Sequence, residues 1–208
     1  MTTQFSSHLY DPIREGCQKS AAAALPHLLP MPYDCSHETV VDVGGGEGWW
    51  GRWMEGSGAT VEVWDGPDSD DGYRSETFTR RIIDLNEPLP EDILTTALCL
   101  EVAEHLPPER GPSFVADLCR LADTVIFSAA MPNQGGTGHI NCQPPAYWAS
   151  LFHEQGFGWI DPRDSLWDEP DIEPWYKSNI LIYDRRSEET APVWSPPLHK
   201  IHVDLWFP

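Results

Sequence analysis

Basic residues are scarce in this chain of 208 residues. Its 13 Lys and Arg stand against 33 Asp and Glu, giving a net charge of −20 and an isoelectric point near 4.5. Lysine occurs only at Lys19, Lys177 and Lys200. A surface of this sign repels phosphates, which argues against a protein built to hold bulk nucleic acid. Long apolar runs are missing too. No stretch reaches the roughly 18 residues of a spanning helix, and the short apolar run at 21–25 lacks the basic start of a signal peptide. Cysteine is sparse and odd in number: Cys17, Cys35, Cys99, Cys119 and Cys142, with no C-x-x-C pair. That spacing excludes a zinc ribbon. In a chain of this length and core content it also argues against a disulfide framework, so the expected compartment is the cytoplasm. There is no internal repeat and no low-complexity tract.

What is present suffices for a core. Hydrophobic residues make up 40%, and the chain carries ten tryptophans and twenty prolines, a composition that excludes general disorder and indicates long ordered loops packed by aromatic rings. The expected layout is an N-terminal arm and helix over 1–38, a main domain over 39–184 and a Pro/Trp-rich tail over 185–208. Within it, residues 12–28 read as a helix. Short β-branched runs at 39–43, 59–64, 77–83, 94–100 and 124–128 read as strands, with a sixth opening at 158–161 and a last at 178–183. Helices are expected over 48–55, 107–121 and 144–155. Loops are expected over 66–76, 84–90, 132–146 and 162–177. Strands alternating with helices specify an α/β fold with a mostly parallel sheet and helices on both faces. The interval between the second and fourth strands is too short for full crossover helices and is read as trimmed.

The sharpest local signal is Val40-Val-Asp-Val-Gly-Gly-Gly-Glu-Gly48, directly after a strand. Gly44, Gly46 and Gly48 hold a G-x-G-x-G spacing that allows a sharp turn and close approach of a ligand to the backbone. The dinucleotide pattern G-x-G-x-x-G fails, because its sixth position is Trp49. On the residues alone the motif is either a ligand cradle or a tight strand–helix turn. Two more acids fall at strand ends. Asp65 closes the second strand, where a carboxylate can accept hydrogen bonds from ribose hydroxyls, and Asp84 with Leu85 follows the third.

Together these residues resemble motif I and its companions in the class I S-adenosylmethionine-dependent methyltransferases, and within them the small bacterial and phage-type members. The resemblance runs from Val40 to Tyr183. It implies a Rossmann-like sheet with an antiparallel last strand and S-adenosylmethionine as cofactor. Asp42 would sit beneath the loop and help hold the cofactor's amino group. Gly44, Gly46 and Gly48 would form the cradle, Asp65 would take the ribose, Asp84 and Leu85 the adenine, and Glu101 would border the cofactor.

Glu101-x-x-Glu104-His105 follows the fourth strand, and His139 lies in a glycine-containing loop after the fifth. Both loops emerge at the sheet edge where ligands bind in such folds. If Glu101 opens a helical turn, all three residues of the first group share one face. Two carboxylates and two imidazoles suit a divalent metal. The pattern is similar to metal-dependent O-methyltransferases, among them ubiquinone-pathway enzymes and small-RNA 2′-O-methyltransferases. It implies Glu101, Glu104, His105 and His139 as ligands of Mg²⁺, Mn²⁺ or a similar ion, with His105 and His139 at the chemistry. Without metal, the acid and imidazole would fix the loop by hydrogen bonds, or His139 would act alone as a base. The expected function is methyl transfer to oxygen of a small polar or glycan-like acceptor. The alternatives are a cofactor-binding regulatory protein without turnover and an RNA 2′-O-methyltransferase. Tyr147, Trp148, Trp167, Trp175 and Tyr176 make either an aromatic wall over the acceptor or packing for the long loops, and Arg80-Arg81 reads as a solvated basic pair.

Overall fold

Strands buried on both faces must be apolar at consecutive positions, and the apolar runs at 39–43, 94–100 and 122–128 meet that condition. In the computed structural model, which describes residues 14–29, 35–67, 78–185, 197 and 200–206, they form the centre of one seven-stranded sheet. The strands are β1 (Thr39–Val43), β2 (Thr60–Asp65), β3 (Thr79–Ile82), β4 (Leu94–Leu100), β5 (Ala122–Ser128), β6 (Gly158–Ile160) and β7 (Leu181–Asp184), in the order β3-β2-β1-β4-β5-β7-β6. Strands β1 to β5 pair in parallel, whereas β7 runs antiparallel to both β5 and β6. The chain leaves β1 toward β2 on one side, and β4 returns on the other. The strand order therefore reverses between β1 and β4, where this kind of sheet opens a crevice at the strands' carboxyl ends.

Alternate residues of each strand feed two cores. Val41, Val43, Ala97, Cys99, Val125, Phe127, Leu181 and Tyr183 face α3 (Gly111–Leu121) and α4 (Pro145–Glu154). Val40, Leu98, Leu100, Ile126 and Ile182 face the other side. There they pack against α1 (Arg14–Leu28), α2 (Trp49–Gly56), α5 (Arg163–Leu166) and α6 (Pro174–Asn179). A short α7 (Val203–Trp206) follows near the C-terminus. None of the five cysteines is in a disulfide. Among the described residues, no helix is long and apolar enough to cross a membrane.

Between β3 and β4 the described chain has no helix, as the spacing implied. Side chains of and beside α3 hold this connector instead. Arg110, only 8% exposed, donates to the carbonyls of Leu85 (3.1 Å) and Glu87 (2.8 Å) and to Asp117 (2.6 Å). Asp117 in turn accepts the Leu89 amide at 3.1 Å. Backbone groups that a helix would have paired are thus satisfied by the buried Arg110 and the half-buried Asp117.

Three expectations change. The interval 162–177, read as loop, carries α5 and α6. Ser178 and Asn179, read as the start of the last strand, finish α6, and the strand begins at Leu181. Pro174 occupies the first turn of α6, where its missing N–H is harmless, and the Ser178 hydroxyl donates back to the Pro174 carbonyl at 2.8 Å. The helix expected over 107–121 is a 3-10 turn at Pro108–Arg110 followed by α3. The N-terminal arm over 1–11, most of the 66–76 loop and most of the 185–208 tail lie outside the described residues.

Candidate functional site

The glycine loop leaves the sheet at the end of β1. The Gly44 amide donates to the Trp64 carbonyl at 2.7 Å, which extends the β1–β2 ladder by one step before the chain turns. Gly44 then takes φ 70° and Gly46 φ 54°, conformations that a side chain resists. A Cβ on Gly44 would also meet Val102 at 2.5 Å. Gly48 starts α2 in the same left-handed region, with φ 78°.

Each acid of this cradle has a defined partner. Asp42, 2% exposed, accepts the Gly51 amide at 3.0 Å and so caps the first turn of α2 from beneath the loop. Burial raises its carboxyl to about 7, and the charge of Asp65 adds to the effect. Asp65 accepts the amides of Gly46 and Gly66, both at 2.6 Å. Burial nevertheless moves its carboxyl up from the usual value. Arg80 from β3 donates to the Gly46 carbonyl. Gly46 is therefore held at its N–H by an acid and at its C=O by a cation. Asp84 is exposed, and its carboxylate closes a local turn by accepting the Asn86 amide at 2.9 Å. Leu85 is half-buried against the α3 side of the core.

Glu101 does not open a helical turn. It holds φ 57°, a left-handed conformation uncommon for this residue, and its amide donates to the Ser128 carbonyl at 3.0 Å and hydroxyl at 3.1 Å. A 3-10 turn, Ala103–His105, follows and brings Glu104 and His105 together with His139. One ligand atom from each of these three lies within 4.8 Å of the others. Glu101 is not part of that group. Its carboxylate accepts Asn179 Nδ2 at 3.0 Å and Gln134 Nε2 at 3.2 Å.

Glu104 is fully buried. One oxygen accepts the Ala130 amide at 3.1 Å, while Oε2 has no hydrogen-bond partner among the described residues. Burial and then the charge of Glu101 push its carboxyl well above the usual range. The His105 and His139 rings meet edge to face with centroids 4.8 Å apart. Burial lowers His105 to about 4 and moves His139 in the same direction. His105 Nδ1 lies 3.2 Å from the Gly138 carbonyl. A carbonyl only accepts, so Nδ1 carries the hydrogen and Nε2 keeps its lone pair. His139 Nδ1 is buried and unpartnered among the described residues. Neutral imidazoles and orphaned acceptors are what a cation site requires.

Sequence reasoning missed Asn179, Gln134 and the reach of Arg80. By sequence Asn179 reads as a strand residue, and nothing in its neighbours' identities marks it. Arg80 and Arg81 are both half-buried rather than solvated. Arg81 pairs with Asp92 at 2.6 Å and stacks on Trp64, 4.7 Å from the ring centroid. Of the aromatic wall, Trp148 and Tyr176 are core residues at 2% and 4% exposure.

No protein-family model matches the chain, and no characterised protein matches it by sequence. Solved structures do match by fold. A chain of the complex between a methyltransferase activator and a methyltransferase of Haloferax volcanii aligns with TM-score 0.61 at 14% identity, over 86% of this chain and 94% of that one. An S-adenosylmethionine-dependent methyltransferase from Archaeoglobus fulgidus gives 0.59 at 18% identity over 72% of each chain. Magnesium protoporphyrin IX methyltransferase from Synechocystis with bound S-adenosylmethionine gives 0.57 at 21% identity, over 88% of this chain and 86% of that one.

Proposed function

We propose that this chain, which has the fold of the class I S-adenosylmethionine-dependent methyltransferases, is an S-adenosylmethionine-dependent methyltransferase acting on an oxygen of a small polar or glycan-like acceptor, assisted by a divalent ion. The observation that carries the proposal is the juxtaposition of two devices at one sheet edge. The glycine cradle begins at Gly44, and Val102, at the root of the loop bearing Glu104 and His105, packs directly on it.

The residues fit both groups. Positive-φ glycines turn the backbone sharply at the mouth of β1, Asp65 lies at the β2 edge of the cradle, and Asp84 with Leu85 lies beyond β3. The cofactor supplies an electrophilic methyl on a sulfonium. Glu104, His105 and His139 would hold the ion, and two imidazoles with one carboxylate favour a first-row transition ion over Mg²⁺. Such an ion supplies Lewis acidity that lowers the pKa of an acceptor hydroxyl. Gly138 keeps His105 in the tautomer with its lone pair on Nε2, and the Ala130 amide orients Glu104, the kind of outer contact that fixes ligands. Burial shifts both imidazoles toward their neutral form. Catalysis then rests on positioning of two bound partners.

Two measurements test the proposal. Saturating S-adenosylhomocysteine is expected to raise the melting temperature, as any ligand of the native state does. Methyl transfer to a panel of diols and sugars is expected to be lost on chelation and restored by Mn²⁺ or Fe²⁺. No thermal shift would remove the methyltransferase reading, and chelator-insensitive turnover would remove the metal.

A further inference from the structure

We propose that the segment from Gln134 to Gly138 is the positioning element of the ion site, holding His139 and His105 in opposite tautomers so that they present Nδ1 and Nε2; this rests on the reading that Glu104, His105 and His139 hold an ion. Two neighbouring glycines of the segment differ in what surrounds them. A Cβ on Gly135 would meet no heavy atom within 4 Å. A Cβ on Gly136 would overlap the His139 ring at Cε1 and Nε2. The imidazole therefore occupies the space that any side chain at 136 would need. Gly136 also holds φ 153°, a backbone conformation that is strained for other residues.

The same segment takes the hydrogens of both rings. His105 Nδ1 donates to the Gly138 carbonyl at 3.2 Å, which leaves its lone pair on Nε2. The His139 ring bonds to the Gln134 carbonyl. Its Nδ1 is buried with no partner among the described residues, so the donor is Nε2–H and the lone pair lies on Nδ1. Two carbonyls of one short segment thus fix unlike tautomers in two rings that meet edge to face, centroids 4.8 Å apart. Turning either ring would bring a hydrogen toward the ion in place of a lone pair, so the carbonyls set the ligand atoms as well as the ring planes.

Both ends of the segment are tied down. On one side the Gln134 amide donates to the Met131 carbonyl at 3.0 Å, while its side chain donates to Glu101 at 3.2 Å and accepts the Met131 amide at 3.3 Å. On the other side the Ile140 and Asn141 amides both donate to the Glu104 carbonyl, at 2.8 and 2.9 Å. Asn141 Nδ2 adds a bond to the Ala103 carbonyl at 3.3 Å. The segment is therefore fastened to the turn that bears Glu104 and His105. A connection that only closed the fold would need neither an empty Cβ position under one imidazole nor carbonyls bonded to two.

The test has a spectroscopic and a binding arm, both on the full chain. Long-range ¹H–¹⁵N NMR of the ion-free wild type at about pH 8, where the rings are neutral, is expected to show His105 protonated at Nδ1 and His139 at Nε2. The same tautomer at both rings overturns the assignment. Calorimetry with Mn²⁺ then compares the wild type, Gly136→Ala and Gly135→Ala. Gly136→Ala is expected to bind Mn²⁺ about 10- to 100-fold more weakly, the scale of disturbing an outer contact that orients a ligand. Gly135→Ala should stay within about twofold of wild type, because its Cβ meets open space. Equal affinity of the two variants overturns the assignment, whether both are unchanged or both weakened. If a thermal melt shows Gly136→Ala unfolded, the wild-type tautomers decide alone. A wild type that binds neither Mn²⁺ nor Fe²⁺ overturns the ion reading itself, and the assignment with it.

Discussion

The glycine cradle and the acid–imidazole cluster sit at the same sheet edge yet differ in how complete they are. In the cradle every acid already has a protein partner: Asp42 has Gly51, Asp65 has Gly46 and Gly66, and Asp84 has Asn86. In the cluster, Glu104 Oε2, His139 Nδ1 and Asn179 Oδ1 are buried without partners among the described residues. The cradle is organised by local chain geometry, because its acids face amides one to about twenty residues away. The cluster is assembled by three separate segments, and its leftover acceptors come from all three. Protein interiors rarely tolerate such atoms, and three of the five among the described residues gather here, the other two being Trp148 Nε1 and Tyr183 OH in the core; their gathering marks where a ligand would complete the structure.

This difference is breakable in order of expected effect. Gly44→Val forces a side chain against Val102 from a left-handed backbone, and is expected to abolish S-adenosylhomocysteine binding and to lower the melting temperature by several degrees. Calorimetry and a thermal melt check both. Glu104→Gln should weaken Mn²⁺ binding by about 100-fold or more, yet leave the melting temperature of the metal-free protein unchanged or higher, because burial and the charge of Glu101 already disfavour the ionised carboxyl there. An Asp65→Ala protein makes the contrast. It is expected to lose about 1–3 kcal/mol in denaturant unfolding, since two loop amides lose their acceptor.

Asp42 in the cradle and His105 in the cluster should also pull stability in opposite directions with pH. Asp42 is raised from 3.8 to about 7, so the folded state holds its proton where the unfolded chain has lost it. Its contribution is present below about pH 4 and declines by roughly 4 kcal/mol as pH rises to about 7. His105 is lowered from 6.5 to about 4, so the unfolded chain binds the extra proton in that interval, and its contribution is lost as pH falls from 6.5 to 4. Asp42→Asn should therefore make the stability of the metal-free protein rise more steeply with pH between 4 and 7, and His105→Gln should make it rise less, as read by urea unfolding across that range. The smallest effect is expected for Arg80→Gln, which removes the donor to the Gly46 carbonyl. A weakening of S-adenosylhomocysteine by about tenfold, with Mn²⁺ affinity unchanged, would confine Arg80 to the cradle.

How much was legible in the sequence follows the same division. Runs such as Thr39–Val43 and Leu94–Leu100 are strands at the expected residues, because a parallel strand buried on both faces leaves a continuous apolar signature. The glycine spacing marks the cradle, because left-handed turns restrict residue identity locally. Glu104, His105 and His139 stand out through their chemistry and their position after strands. Spacing alone groups Glu101 with them, three residues before Glu104. Its left-handed backbone and the amides of Asn179 and Gln134 place it instead outside the three-residue group, and no local pattern encodes that.

The sequence by itself determined the α/β class, the order of the strands, the glycine turn and the types of residue brought to the sheet edge. These depend on hydrophobic periodicity and on backbone conformations that only some residues adopt. Tertiary structure alone decided which acids are used up and which are left open. Asp42 is spent on a helix N-terminus, Asp65 and Arg80 clamp one glycine, and Asn179 arrives from 78 positions away to meet Glu101. Hydrogen-bond satisfaction is a property of three-dimensional neighbours, and so the incomplete part of the site became visible only in the fold.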